Sequence, residues 1–250
     1  MQYYVLLRKE IKENIRTYKF LIMVAILLVF GIGTPLMIKF LPEILKLSGE
    51  QIPLTLPVLG ATDALQSYIS NLSQVGLLLV VLISMGAVAQ ERERRTAVMV
   101  LSKSAGPGAF ILAKMTAIGT MIIAGLLLGA IGFYFYTTIL LGPVDLLKFT
   151  IINLLSAYYL LFCLSITLMF SSLVKSQLAA GGLSLVTLIG LAAISNIPFM
   201  SEFVPSALMG WATSFINGGN GDSVPAMMIC GVLIILSLLA GWQILRRTEI

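Results

Sequence analysis

Five consecutive charged residues, Glu91-Arg92-Glu93-Arg94-Arg95, form the densest chemistry-bearing cluster in the sequence. Carboxylates and guanidiniums three or four residues apart pair along one helical face, so Glu91 with Arg94 or Arg95 specifies a charged helix. Val98 and Leu101 give that helix an apolar edge on which a partner could dock, although a charged loop at a membrane exit also arises with no partner. Catalytic chemistry has less to work with. The chain has no His, and Cys163 and Cys230 each stand alone in an apolar run, so no disulfide framework, metal site or catalytic constellation is visible. No Gly-Lys dipeptide occurs anywhere, which excludes nucleotide binding through the P-loop pattern G-x-x-x-x-G-K-[S/T].

The elements that must position this cluster are membrane helices. Of 250 residues, 58% are hydrophobic and 11% charged, against about 45–50% and about 25% in soluble domains. Stretches near the roughly 20 residues needed to cross the hydrocarbon core predict six spans, at about 20–38, 67–90, 111–138, 149–173, 177–197 and 224–245. They leave no room for a soluble domain, so residues 1–250 read as one transmembrane domain. The first run is longer than a signal-peptide core and ends without a small-x-small cleavage pattern, so it reads as a retained span. Six spans put both termini on one side, which then carries all of the 16 Lys and Arg residues except Lys39, Lys46 and Lys148. That bias makes both termini cytoplasmic in a multi-pass protein of the cytoplasmic (inner) membrane.

Tyr4, Leu7, Ile11, Ile15 and Tyr18 recur at spacings of three and four, with Arg8, Lys9, Lys12 and Arg16 elsewhere around the same helix. Residues 1–18 therefore predict an amphipathic helix at the inner interface, its basic residues drawn to anionic headgroups. Residues 199–222 are mostly apolar but hold Pro205 and the turn-rich run 217–221, which predicts an extracytoplasmic segment that dips into or lies on the membrane. Asn71 and Gln74 in the second span, with Asn153 and Tyr158 in the fourth, either line a path or bond neighbouring helices. Gly125 and Gly129 fit a small-xxx-small packing pattern, within the chain or between chains. None of the spans carries an ionisable group near its middle, which weighs against proton- or sodium-coupled transport and against a strongly ionic cargo.

The 91–108 loop resembles the signature of the ABC-2 type permeases, in which E-x-E-R-G-T precedes a Leu-rich turn ending in Ser and a Pro-containing link leads to a Lys that opens the third span. The matching residues are Glu91, Glu93, Arg94, Thr96, Leu101, Ser102, Pro107 and Lys114, with Arg95 in place of the family's Gly. The resemblance implies an all-α membrane fold of the ABC-2 (type V) exporter kind, with six transmembrane helices and an interfacial N-terminal helix. It also implies a permease subunit that forms the translocation pathway and is not itself an enzyme. Cytoplasmic ABC ATPase subunits would hold the ATP and Mg, and a second permease chain would complete a homodimer or heterodimer in the lipid bilayer. This chain would bind no cofactor, no metal and no nucleic acid. Glu91, Arg92, Glu93, Arg94, Arg95, Thr96 and Leu101 would form the ATPase-coupling loop. A membrane scaffold or sensor that recruits a cytoplasmic partner without transporting anything is the alternative.

Overall fold

A computed structural model describes residues 2–47, 59–93, 106–195, 197, 202–216 and 224–248. Among these residues there is no strand. The helices in chain order are α1 (Gln2–Arg16), α2 (Lys19–Leu47), α3 (Ala61–Asn71), α4 (Leu77–Ser84), α5 (Gly86–Glu93), α6 (Pro107–Leu140), α7 (Leu146–Leu173), α8 (Gln177–Ile194), α9 (Ala207–Ile216) and α10 (Val224–Thr248). Among the described residues, six stretches are long and apolar enough to cross a membrane: Lys19–Ile44, Ala61–Glu93, Pro107–Leu140, Leu146–Leu173, Gln177–Ile194 and Val224–Arg247. The second of these is built from α3, a π-helical turn at Leu72–Gly76, α4 and α5. The protein is thus an all-α membrane protein with six candidate spans. Its helices run past several hydropathy windows because local chemistry extends them. Pro107 occupies the first turn of α6, where its missing N–H costs nothing. Asp145 caps α7 by accepting from the backbone N–H of Leu147 at 2.9 Å.

Helix α9, at ten residues, rises only about 15 Å and cannot cross the core. It buries Leu208, Met209 and Ala212 and packs on α3, α7 and α10. The second and fourth spans form the interior, whereas the fifth and sixth are mostly exposed and turn broad apolar faces outward.

Lipid is as apolar as leucine, so close packing and hydrogen bonds must hold such helices together. Two devices do this. The first is a glycine seam between α2 and α6. A Cβ on Gly129 would lie 2.7 Å from the carbonyl oxygen of Leu27, one on Gly31 would collide with the carbonyl of Gly129, and one on Gly125 would lie 3.0 Å from Leu27 Cδ1. The small-xxx-small pattern is therefore used within the chain. The second is an aromatic stack in which Tyr68 and Phe133 lie 4.3 Å apart and Phe133 and Phe149 5.6 Å apart, joining the second, third and fourth spans. Tyr68 also donates to Asn153 Oδ1 at 2.9 Å.

Thr17 and Tyr18 make the turn from α1 into α2, and Tyr18 has φ of 57°, left-handed for a bulky residue. This turn directs α1 back across the starts of α2 and α6, which it contacts.

The seam sets the first stability prediction. Gly129→Val is expected to cost about 1–3 kcal/mol through overpacking, read as a lower unfolding midpoint in detergent. Gly33→Ala on the same helix pair, where an added Cβ meets nothing within 4 Å, is expected to leave that midpoint unchanged or higher.

Candidate functional site

Four elements converge at one end of the bundle: α1, α5, the start of α6 and the end of α7. The second span breaks at Met85, between α4 and α5. Ser171 of α7 supports the break: its Oγ donates to Met85 O at 2.8 Å and accepts from the N–H groups of Val88 and Ala89, each at 3.0 Å. An inserted side chain of this kind is a recognised cause of helix bending. Below the break, Arg92 donates to the carbonyl of Ser172. Two consecutive serines of the fourth span thus set the direction in which α5 leaves the bundle.

Glu91 on α5 faces inward and accepts from Lys114 Nζ of α6 at 2.9 Å. The same ammonium donates to Glu10 Oε2 of α1 at 3.0 Å. Lys114 is 2% exposed and Glu10 6%, so charges that would be costly alone are compensated where they stand. Lys9 extends the cluster on its outer side, 3.2 Å from Glu91, 3.4 Å from Glu10 and 3.6 Å from Glu13. Partial burial alone would lower the Lys9 pKa, but Glu91, Glu10 and Glu13 outweigh it and hold the group above the ordinary lysine value. Its stabilising contribution is therefore complete below the ordinary lysine pKa and is lost only as pH rises through the raised one. Phe110 completes the wall, its ring centroid 4.8 Å from Lys114 Nζ.

The carboxylates of Glu10, Glu13 and Glu91 lie within 4.8 Å of one another. Three such groups have the chemistry for a divalent cation, but the ammonium groups of Lys114 and Lys9 already stand among them. Chemically the arrangement is an ion-paired brace that ties α1, α5 and α6 into one unit.

The coupling-loop residues predicted from sequence divide between uses. Glu91 and Arg92 bond within the chain, whereas Glu93 is exposed. Arg94, Arg95, Thr96 and Leu101 lie outside the described residues. On α1, Arg8, Lys9, Lys12 and Arg16 are all exposed, and so are Tyr4, Ile11, Ile15 and Tyr18 of the apolar stripe. The buried face is Leu6, Glu10 and Asn14, with Tyr3 donating to Thr116 Oγ1 of α6 at 2.9 Å, so α1 turns two polar residues into the protein and Tyr4, Ile11 and Ile15 away from it.

The four residues proposed to line a path stand at different places in the bundle, with Gln74, Asn71 and Asn153 each bordering a separate cavity. Asn71 donates to Thr34 Oγ1 at 3.0 Å, Asn153 accepts from Tyr68, and Tyr158 donates to the carbonyl of Met227 at 3.0 Å. Each ties one pair of spans. Gln74 is exposed and lines a cavity of about 390 Å³ with Ser73, Tyr159, Ile189, Ser206 and Met209. The π-helical turn at Leu72–Gly76 places both Ser73 and Gln74 on this cavity, and such turns mark functional positions in many helices.

Residues 4–213 match the family model described as ABC-2 family transporter protein. The chain is also 24% identical over 259 residues to a Bacillus subtilis (strain 168) protein described as uncharacterized transmembrane protein YxlG, covering 98% of this chain and 97% of that one.

Lys114 serves two carboxylates, which ranks the variants of the brace. Lys114→Met, which removes the buried ammonium that Glu10 and Glu91 share, is expected to cost about 3–5 kcal/mol. Glu10→Gln leaves Lys114 paired with Glu91 and is expected to cost clearly less. Unfolding midpoints of the two purified variants in one detergent decide this, and the reverse order would show that the cluster is not a mutual neutralisation.

Proposed function

We infer, because this chain belongs to the ABC-2 family of transporter proteins, that it is the permease subunit of an ABC transporter and that it works as an exporter driven by a separate ATPase. Family membership carries the coarse statement; the brace at the root of the 91–108 loop supports the finer one. Force applied to that loop by an ATPase enters the bundle through α5. It is shared at once with α1 and α6 through Lys114 and with α7 through Ser171 and Ser172. Four elements that move together can carry a two-state change, provided that nucleotide-dependent contacts differ between the states.

In this reading both termini and the 91–108 loop are cytoplasmic, α1 lies in the interface with its exposed tyrosines and isoleucines in the acyl region, and residues 199–222 are extracytoplasmic. The cavity at Gln74 belongs to the translocation pathway, and its apolar walls favour a small hydrophobic or amphiphilic cargo. A second permease chain completes the pathway, ATP and Mg are held by the ATPase subunits, and this chain takes no part in hydrolysis.

Glu93 is the described loop charge with its carboxylate exposed, which makes it a cleaner probe than Glu91, whose reversal would break the brace. Gentle extraction of the tagged chain from its host is expected to bring down an ATPase in equal amount. Glu93→Lys and Arg94→Glu are each expected to lower stimulation of that ATPase by about tenfold, within the usual range of coupling energies, while insertion stays normal. Lys148→Glu, in the first turn of α7 far from the brace, serves as control. Normal stimulation and export in both loop variants would refute the coupling assignment.

A further inference from the structure

A second apolar hollow has no part in the pathway described above. It lies between the start of α6 and the end of α10, about 460 Å³ in volume, walled by Gly108, Ile111, Leu112, Leu238, Leu239 and Trp242. Its floor is firm, because Ile111 belongs to a small buried cluster with Val88, Phe110 and Leu245. Its rim is open: Leu112 is 50% exposed and Leu239 46%. Gly108 keeps the mouth clear, since a Cβ there would already touch the Trp242 ring at 3.5 Å. Just beyond the mouth the Arg246 guanidinium lies over Trp242, 5.8 Å from the ring centroid. Arg247 follows, and both arginines are exposed. Among the described residues neither makes an ion pair.

We propose that this hollow is a binding site for one anionic phospholipid, its acyl chain between α6 and α10 and its phosphate at Arg246 and Arg247. Charge complementarity selects the occupant. The walls are almost wholly apolar, with the indole N–H of Trp242 at the mouth as their polar group, too little to satisfy the backbone of an unfolded peptide at membrane depth, which an acyl chain does not require. The mouth offers two cations and an indole at headgroup level, the usual place of an interfacial tryptophan. From Ile235, which also lines the groove, to Trp242 the helix rises roughly 10 Å, well within one leaflet. Guanidinium forks match phosphate oxygens in geometry as well as in charge. The site rests on the membrane fold alone; only its assignment to the cytoplasmic leaflet depends on the orientation proposed above, so the two can fail separately.

The chain has two tryptophans, and Trp211 on α9 lies away from this groove, so Trp211→Phe leaves Trp242 as the reporter. The variant is reconstituted in phosphatidylcholine nanodiscs containing a minor fraction of phosphatidylglycerol or phosphatidylcholine dibrominated in the upper acyl chain. Brominated phosphatidylglycerol is expected to quench Trp242 about fivefold more effectively per molecule, the preference that roughly one basic residue near an anionic headgroup supplies. Arg246→Gln with Arg247→Gln is expected to bring the two lipids to parity, and Gly108→Leu to weaken quenching by both. Should the double variant fail to insert, high salt on the parent replaces it and is expected to reduce the preference. Equal quenching by the two lipids in the parent, or a preference that survives loss of the arginines or high salt, overturns the proposal.

Discussion

An ammonium group closed off from water near one end of a membrane helix must be neutralised where it stands, and Lys114 imposes that demand on everything around it. Satisfying it takes a carboxylate from α1 and another from α5, so two elements far apart in the chain are brought to the start of α6. The direction of α1 follows. With Glu10 turned inward, the left-handed turn at Tyr18 must fold the helix back over the bundle, and the residues left facing away are tyrosines and isoleucines with arginines and lysines beside them. A buried pair of this kind is weak evidence of stability for its own sake. Its value here is in fixing which helices move together.

Much of the architecture was legible because hydropathy and charge bias are averages over many residues. The six apolar stretches, the amphipathic first helix and the short apolar segment after the fifth span all follow from such averages. What escaped depended on single atoms meeting across the fold. Glu10 carried a signal, since Leu6, Glu10 and Asn14 recur at intervals of four, but the more obvious apolar stripe was the natural candidate for the face of interest. Lys114 was recognised as the residue that opens the third span, whereas its burial requires partners that sequence spacing cannot supply. Ser171 left no trace at all: one more serine in an apolar helix, distinguished only by three hydrogen bonds to another span. The polar residues of the second and fourth spans left two roles open, and their partners place Asn71, Asn153 and Tyr158 at helix junctions.

The glycine seam and the outward faces show two ways of meeting the same solvent. Where α2 and α6 cross, the absence of side chains lets backbones approach and dispersion contacts accumulate. On the fifth and sixth spans, by contrast, large side chains point away from the protein and leave grooves between helices. The groove beside Trp242 has charge at one end and none along its walls.

The bend at Met85 has a consequence for biosynthesis. Its supporting hydroxyl belongs to the fourth span, which emerges from the ribosome some 80 residues after the second. Until that helix arrives, the N–H groups of Val88 and Ala89 have no partner there, and the ordinary i to i−4 ladder through Ser84 and Met85 is the alternative that hydrocarbon permits. On hydrogen bonding alone, a second span inserted ahead of the fourth is favoured straight, and the exit direction of α5 is set only once Ser171 is in place.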